Sequence, residues 1–319
     1  MYRLTSKIQI GEWKLKGVIS LQIESSWKMF TDTCTITIPK ILREWKDKPV
    51  YFTDGEPLFK KSDEVIIDLG YNDINVRTFK GYVTSINSNV PITLECQDEM
   101  WLLKKNSQNL SFKDVDLKTL LSHIIPKEIP FEAADIRLGA FRVSNSTPVQ
   151  ILEFLKKEYF LKSWFRGGKL YVNVLPINYE LQKEHTIKFN RNVISDNLIY
   201  QKSEETQIKL KVISILPNNQ KIELEFGDTE GEERTLHLYD VKESDMKQIA
   251  ERELPLMRYT GYRGDFLTFL EPHIQHGDVI YLIDDKYPEK NGKYQVRKVN
   301  TTFGTGGGRQ NVELGVKVG

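Results

Sequence analysis

A mainly β chain with an α+β insert, in which two similar β-barrel domains flank a small α+β domain, is the fold class the sequence predicts, and three observations predict it. Apolar residues alternate with period two over both ends of the chain. The period turns helical only in the middle. Asp63 to Leu69 followed by Gly81 to Ile86 also has a weak echo in Asp278 to Ile283 followed by Gly292 to Val299. The expected division is 1–100 for a first β-barrel domain, 101–178 for the α+β insert and 179–319 for a second β-barrel domain with a helical excursion.

In the first domain the apolar runs are Ile8/Ile10, Val18 to Ile23, Cys34/Ile36/Ile38, Val65/Ile67/Leu69, Tyr82 to Ile86 and Ile92/Leu94/Cys96. Each alternates as a strand with one buried face does. Between Pro39 and Phe59 the alternation breaks, with Trp45, Pro49, Tyr51, Phe52 and Pro57 among charges. A long excursion leaves the sheet there, and such excursions often serve as contact surfaces.

The insert opens with a helical stripe of Leu117, Leu120, Leu121, Ile124 and Ile125, preceded by capping aspartates Asp114 and Asp116 and stopped by Pro126. A second helix starts at Thr147, with Pro148 in its first turn and Gln150 completing a capping box. It buries Pro148, Leu152, Leu155 and Tyr159. Leu161 to Arg166 and Lys169 to Val174 then flank Gly167-Gly168, the two-residue loop of a tight hairpin. After a polar linker, Tyr179 to Asn192, strands return at Ile208/Leu210/Val212, Ile222/Leu224/Phe226 and Leu236/Leu238, separated by turn residues. A helix from Ser244 carries Met246, Ile249, Ala250, Leu254 and Met257 on one side, and Pro255 should bend or stop it. Strands from Gly261 onward finish the second β-domain.

The chain has 319 residues, enough for two or three domains with cores of ordinary size. Lys+Arg 45 against Asp+Glu 44 leaves a net charge of +1, so nothing global marks a DNA-coating or membrane-surface protein. The two cysteines, Cys34 and Cys96, sit at inward positions and read as buried thiols of a reducing compartment. The first residues lack the apolar run of a signal peptide, and no stretch approaches the ~20 apolar residues of a membrane span. A soluble product made in a cytoplasm is expected.

Chemistry-bearing motifs are poor. Gly304-Thr305-Gly306-Gly307-Gly308-Arg309 lacks the Lys-Ser/Thr and following helix of a phosphate loop, and a strand follows it. It reads as a flexible hairpin or a subunit-contact loop, so Gly304, Gly306, Gly307, Gly308 and Arg309 are candidate protein-contact residues. His273 and His276 beside Glu271 and Asp278 read as a polar turn, since spacing of three on a turn does not aim two imidazoles at one ion. Asp284-Asp285 and the acidic residues Asp228, Glu230, Glu232 and Glu233 read as solvated turns. No nucleophile motif and no zinc-protease helix is present, so no catalytic, cofactor or metal residue is assigned. The basic dipeptides Lys104-Lys105, Lys156-Lys157 and Arg297-Lys298 lack the organisation of specific nucleic-acid readout. Trp13, Trp27, Trp101 and Trp164 are expected as anchors of their own domains. Trp45, in the irregular excursion, is the candidate anchor for another molecule.

Several segments together resemble the baseplate hub of contractile phage tails, the late-control D family related to the hub part of type VI secretion spike proteins. They are Ser62 to Tyr71, Phe79 to Ile86, Leu94 to Met100 with Leu102 to Lys105, Leu138 to Arg142, the Tyr159 to Tyr171 hairpin region, and Glu271-Pro272 with His276 to Val279. The resemblance is spread over most of the chain and lies in the order and spacing of structural patterns.

It implies a homotrimer whose two tube-like barrels per subunit form a pseudo-sixfold ring, adapting a hexameric tail tube to a trimeric spike. The implied partners are further copies of the chain, the tail tube protein, baseplate wedge proteins and a spike. Spike-fused relatives continue into a further barrel and a β-helix, whereas this sequence stops at Lys317-Val318-Gly319, so the spike is expected to be a separate protein. The implied location is the tail baseplate of a virion or tail-like particle assembled in a bacterial cytoplasm, with no cofactor and no catalysis. Two other classes stay open: a tail-associated peptidoglycan hydrolase or peptidase using carboxylates such as Asp284, and a monomeric ligand-binding β-protein. A convergent pair of carboxyls with shifted pKa in a cleft favours the hydrolase.

Overall fold

The alternating runs at the two ends of the chain join one sheet. The computed structural model describes residues 3–15, 17–27, 29–43, 49–51, 58–173, 182–216, 218 and 220–318, with side chains described except at 41–43, 49–51, 255 and 256. Among the described residues the largest sheet has 13 strands and carries the apolar runs of both ends.

Its first half lines up Ser20–Ser26, Thr33–Ile38, Ile92–Asp98, Ile74–Asn87, Glu64–Tyr71 and Leu4–Ile10 as successive neighbours, with Trp13–Leu15 beyond. Its second half lines up Val193–Asp196, Asp265–Thr268, Gly307–Lys317, Gly292–Gly304, Val279–Ile283 and Glu184–Lys188. Both halves use their six strands in the same chain order and the same neighbour order. The echo in the sequence is therefore a structural repeat. One ladder differs: Leu4–Ile10 runs antiparallel to Glu64–Tyr71, while Glu184–Lys188 runs parallel to Val279–Ile283. This last strand lies inside the segment expected to be a polar linker, because a lone five-residue strand with one buried residue, Ile187, leaves little periodic signal.

The repeat holds at atomic level. Asp63 and Asp278 each accept a backbone N–H three residues back through Oδ2, from Lys60 (2.7 Å) and Gln275 (3.0 Å). Asp63 O accepts from Val83 N and Asp278 O from Val296 N, while Val83 O and Val296 O accept from Ser62 N and Gly277 N. A β-bulge follows both valines, at Val83/Ser85 and at Val296/Lys298. Val83 thus corresponds to Val296, and Gly81 to Tyr294. The sequence echo had aligned Gly81 with Gly292, a slip of two residues that keeps every side chain on its face.

Alternation places Ile8, Ile10, Leu21, Ile23, Cys34, Ile36, Ile38, Val65, Ile67, Leu94 and Cys96 in one core. Cys34 and Cys96 lie directly opposite each other as free buried thiols, and burial pushes the Cys96 thiol up to about 12. The second core holds Ile187, Phe266, Ile280, Leu282, Tyr294, Val296, Val312 and Leu314. The middle of the chain forms a third core around helices α1 (Leu117–Ile124) and α2 (Pro148–Glu158). Asp116 caps α1 through Thr119 N, and the Thr147–Gln150 capping box of α2 is closed in both directions. Gly167 and Gly168 both take positive φ (61° and 80°), as the tight hairpin requires.

Within the second β-half, Ile208–Ile215, flanked by Lys221–Gly227 and Glu232–Tyr239, is covered by helix α3 (Glu243–Met257). Met246 and Ala250 pack on Leu210 and Val212, and α3 ends two residues after Pro255. In the 39–59 excursion, Ile41–Arg43 pairs with Pro49–Tyr51 as a two-stranded ribbon, and Trp45 lies outside the described residues. Trp164 is buried, while Trp13, Trp27 and Trp101 are half-buried. No helix among the described residues is long and apolar enough to cross a membrane.

Tyr294 fills the second core, and its hydroxyl accepts from Tyr262 N (2.8 Å). Tyr294→Phe is expected to cost about 1–3 kcal/mol by leaving that buried N–H unpaired, read as a lowered urea midpoint with unchanged m-value.

Candidate functional site

Strand Gly292–Gly304 is long enough to serve two modules. Gly292 to Gln295 pair with Val279–Ile283 of their own half, and Lys298 to Gly304 pair with Ser26 to Ser20 of the other half. Seven residue pairs make this seam. Its inner face carries Leu21, Ile23, Val299, Thr301 and Phe303, all buried, and an ion pair between Lys298 and Glu24 lies outside. Each apolar side chain closed off here contributes on the order of 1.5–3 kcal/mol, so the halves are held as one body.

Gly304 is the last residue of the seam, and only glycine fits there, since a Cβ would sit 2.4 Å from Ile19 O. Gly308 is buried, and a Cβ on it would meet Leu270 at 2.5 Å. Arg309 donates to Gly308 O (2.7 Å), with its guanidinium over Phe269. Thr305 and Gly306 are exposed at the hairpin tip. The glycine-rich segment is thus the hairpin the sequence predicted, and Gly304, Gly308 and Arg309 make contacts within the chain.

Behind the seam lies a polar cleft of about 410 Å³ where the two halves meet the insert. The Ser25 hydroxyl donates to Asp32 Oδ2 (2.5 Å), and His276 Nδ1 lies 2.7 Å from Ser25 Oγ. With the hydroxyl proton directed at Asp32, the ring N–H donates to Ser25. Asp32 Oδ1 accepts from Ser26 N (3.2 Å), Asp98 Oδ2 from Asp32 N (3.2 Å) and Asp98 Oδ1 from Met100 N (3.0 Å).

Burial raises the Asp32 carboxyl against the pull of His276 and of the bonds from Ser25 and Ser26. Asp98 rises well above the usual carboxylate range, through burial and then the charge of Asp32. Burial lowers His276, and it takes His273 down to about 4. The Nε2 atoms of both histidines are buried and have no hydrogen-bond partner among the described residues. The polar turn the sequence predicted is therefore largely enclosed.

On the far side, Arg166 reaches from the insert hairpin to Asp278. Its guanidinium donates to Asp278 Oδ1 (2.7 Å) and lies 3.4 Å from His276 O. Asp278 Oδ2 faces His185 Nε2 at 3.0 Å and also takes Gln275 N. Asp278 is 1% exposed. Burial alone would raise its carboxyl, but the hydrogen bonds from His185 and Arg166, with the Arg166 charge, outweigh it and hold the group below its usual value.

The cleft does not reproduce a nucleophile system. Ser25 stands between His276 and Asp32, whereas activation requires the histidine between hydroxyl and carboxylate. All four oxygens of Asp32 and Asp98 accept bonds from the chain itself. Among the described residues no group of three or more His, Cys, Asp or Glu could hold a metal ion. Asp284 closes its own turn through Lys286 N and Tyr287 N. What the arrangement does is lock three parts of the chain together.

With the seam and the repeat in view, comparison of the whole fold with solved structures is decisive. The chain has the fold of phage tail proteins. The tail protein from Neisseria meningitidis MC58 superposes with TM-score 0.64 at 13% identity, covering 99% of this chain and 97% of that one. The 43 kDa tail protein of prophage MuSo2 from Shewanella oneidensis gives 0.62 at 13% identity over 98% and 97%. An E. coli component of the type VI secretion system, itself described as similar to T4 bacteriophage tail proteins, gives 0.60 at 10% identity over 98% and 77%. No protein-family model and no curated protein matches the sequence.

Sequence reasoning weighed His276 and Asp278 together but gave no site role to Ser25, Asp32, Asp98, Arg166 or His185. Asp98, which ends the strand Ile92–Asp98 and caps the short 3-10 helix Glu99–Lys104, carried the one usable signal.

Removing Arg166 would leave a buried carboxylate with its cation gone. Arg166→Ala is expected to cost about 3 kcal/mol, and adding Asp278→Asn should restore part of it, measured as a double-mutant cycle in urea.

His273 is neutral in the folded chain down to about 4, whereas the unfolded imidazole takes its proton near 6.5. Its contribution is thus full above the unfolded value and is lost as pH falls toward the folded one. His273→Gln should flatten the fall of the unfolding free energy from urea titrations between pH 7 and pH 4.5, by up to about 1.4 kcal/mol per pH unit.

Proposed function

We propose that this protein is the structural baseplate hub of a contractile phage tail or tail-like particle. It acts as a homotrimer in which two tube-like modules per chain make a pseudo-sixfold ring between a hexameric tail tube and a trimeric spike. The observation that carries this reading is the repeat: one chain holds two six-stranded modules with the same strand order, the same aspartate-closed turn and the same bulge. Three such chains present six similar modules, which is the geometric condition for matching threefold to sixfold symmetry. The full-length likeness to phage tail proteins supports the same reading.

In this reading 1–100 and 179–319 are the two tube-like domains and 101–178 is the insert that braces them through Arg166. The partners are further copies of the chain, tail tube protein, spike protein and baseplate wedge proteins, and the site of action is the tail baseplate after assembly in a bacterial cytoplasm. The work is done by interfaces, with no covalent step, cofactor or metal. Trp45, Gly304, Gly306, Gly307, Gly308 and Arg309 are proposed contact residues.

A hydrolase reading rests on one observation, the raised carboxyls of Asp32 and Asp98 beside a cleft. Their fully occupied oxygens weigh against it. Clearing of peptidoglycan by the purified chain, abolished by Asp98→Asn, would establish hydrolysis. The hub reading is tested by light scattering of the purified chain with negative-stain images of the same fraction. Three-chain rings with an axial channel are expected, alone or on addition of tail tube or spike protein, and a persistent monomer with both partners present would overturn it.

A further inference from the structure

The seam inside the chain joins the end of one module's long strand to the first strand of the other module. Because the modules repeat, each half of that seam has a counterpart that stays open. The counterpart of Lys298 to Asn300 is Ser85 to Asn87, fixed by the shared bulge and by the matching pairs Ser85↔Glu95 and Lys298↔Glu313, then Asn87↔Thr93 and Asn300↔Asn311. The counterpart of Ser20 to Ser26 runs from Ser195 to Gln201. Ser195 pairs with Leu267 as Ser20 pairs with Thr37, and Ile199 pairs with Arg263 as Glu24 pairs with Thr33.

Among the described residues both counterparts are free where the seam would form. Beyond Val83, the strand Ile74–Asn87 has no ladder partner on its Glu64–Tyr71 side among the described residues, and Ile199–Gln201 pairs only with Gly261–Arg263. Ile199 is 70% exposed and Ile194 41% exposed, so the second edge presents apolar side chains to water. An open strand edge bearing apolar residues invites a further strand unless something covers it.

We propose that a second copy of this chain covers it, with Ser85, Ile86 and Asn87 of one copy opposite Gln201, Tyr200 and Ile199 of the next. The register is that of Lys298, Val299 and Asn300 opposite Ser26, Ser25 and Glu24 within the chain. The contact is heterologous, since one edge meets a different edge, so successive copies run head to tail and close as a ring or continue as a fibre. The identity of the two edges comes from the repeat; closure at three copies rests on the hub reading.

The test is the double variant Asn87→Cys with Ile199→Cys, oxidised at high protein concentration beside each single variant. Denaturing electrophoresis without reductant and intact mass identify the products. Covalent species that stop at three chains, seen only in the double variant, are expected. Ile199→Asp, at an exposed position that leaves the fold intact, should lower the association constant about tenfold or more. A trimer by light scattering with no cross-link above the single variants would overturn the edge assignment while leaving the hub reading standing. A covalent ladder that passes three chains would keep the edges and overturn the closed ring. No cross-link at any concentration, with tail tube and spike protein present, would overturn the inference itself.

Discussion

Everything in this fold depends on one strand being too long for its own module. Gly292–Gly304 uses its first residues on Val279–Ile283 and its remainder on Ser20–Ser26. A flexible tether between two β-units would leave each with an exposed edge and let them turn relative to one another. A shared strand removes one edge from each unit and fixes their relative rotation through seven residue pairs with a buried apolar inner face. The apolar term supplies most of the energy, and the hydrogen-bond ladder supplies the register.

The polar groups behind the seam act differently. Asp278 and Arg166 are both withdrawn from water, and removing charges from water costs more than a single contact returns unless geometry and further hydrogen bonds are good. Here Asp278 takes hydrogen bonds from Arg166 and Gln275 and faces His185, and that is why its carboxyl is held low in spite of burial. Ser25, Asp32, Asp98 and His276 form a second network in which both carboxyls are raised and the imidazole lowered. Such a network adds little net stability. The value of the Arg166–Asp278 pair is specificity, because the insert hairpin can dock in only one place that gives Asp278 its cation.

The sequence made the mainly β class, α1, α2 and the Gly167-Gly168 hairpin legible, since those depend on local periodicity and turn chemistry. It also showed the repeat, because Asp63 and Asp278 do the same local work three residues after the N–H they accept. What it hid is long-range pairing. Nothing in the alternation of Lys298 to Gly304 says that its neighbour is Ser20–Ser26 rather than a strand of its own half. Glu184–Lys188 was hidden as well, because a short strand pairing in parallel with a distant one has no adjacent turn to announce it. Ser25 and Asp32 look like ordinary turn residues until the fold brings His276 beside them.

The two modules are equivalent in topology but not in detail, and the differences fall at the edges. The hairpin beyond Asn300 and Asn311 runs on to Gly304 and Gly307, whereas the one at Asn87 and Thr93 closes at once. The intrachain seam can therefore extend to seven pairs, while its open counterpart offers three. The ion pair of Lys298 with Glu24 also has no counterpart, since Ser85 and Ile199 stand at those positions. A contact built from copies of the shorter edge is weaker than the seam that joins modules within one chain. In the proposed pairing folding precedes association, and the joint between copies would be the part whose formation depends on concentration and on neighbours that hold the copies in place. On that proposal a single repeated unit gives a permanent joint and a conditional one, and the difference lies in the length of one hairpin.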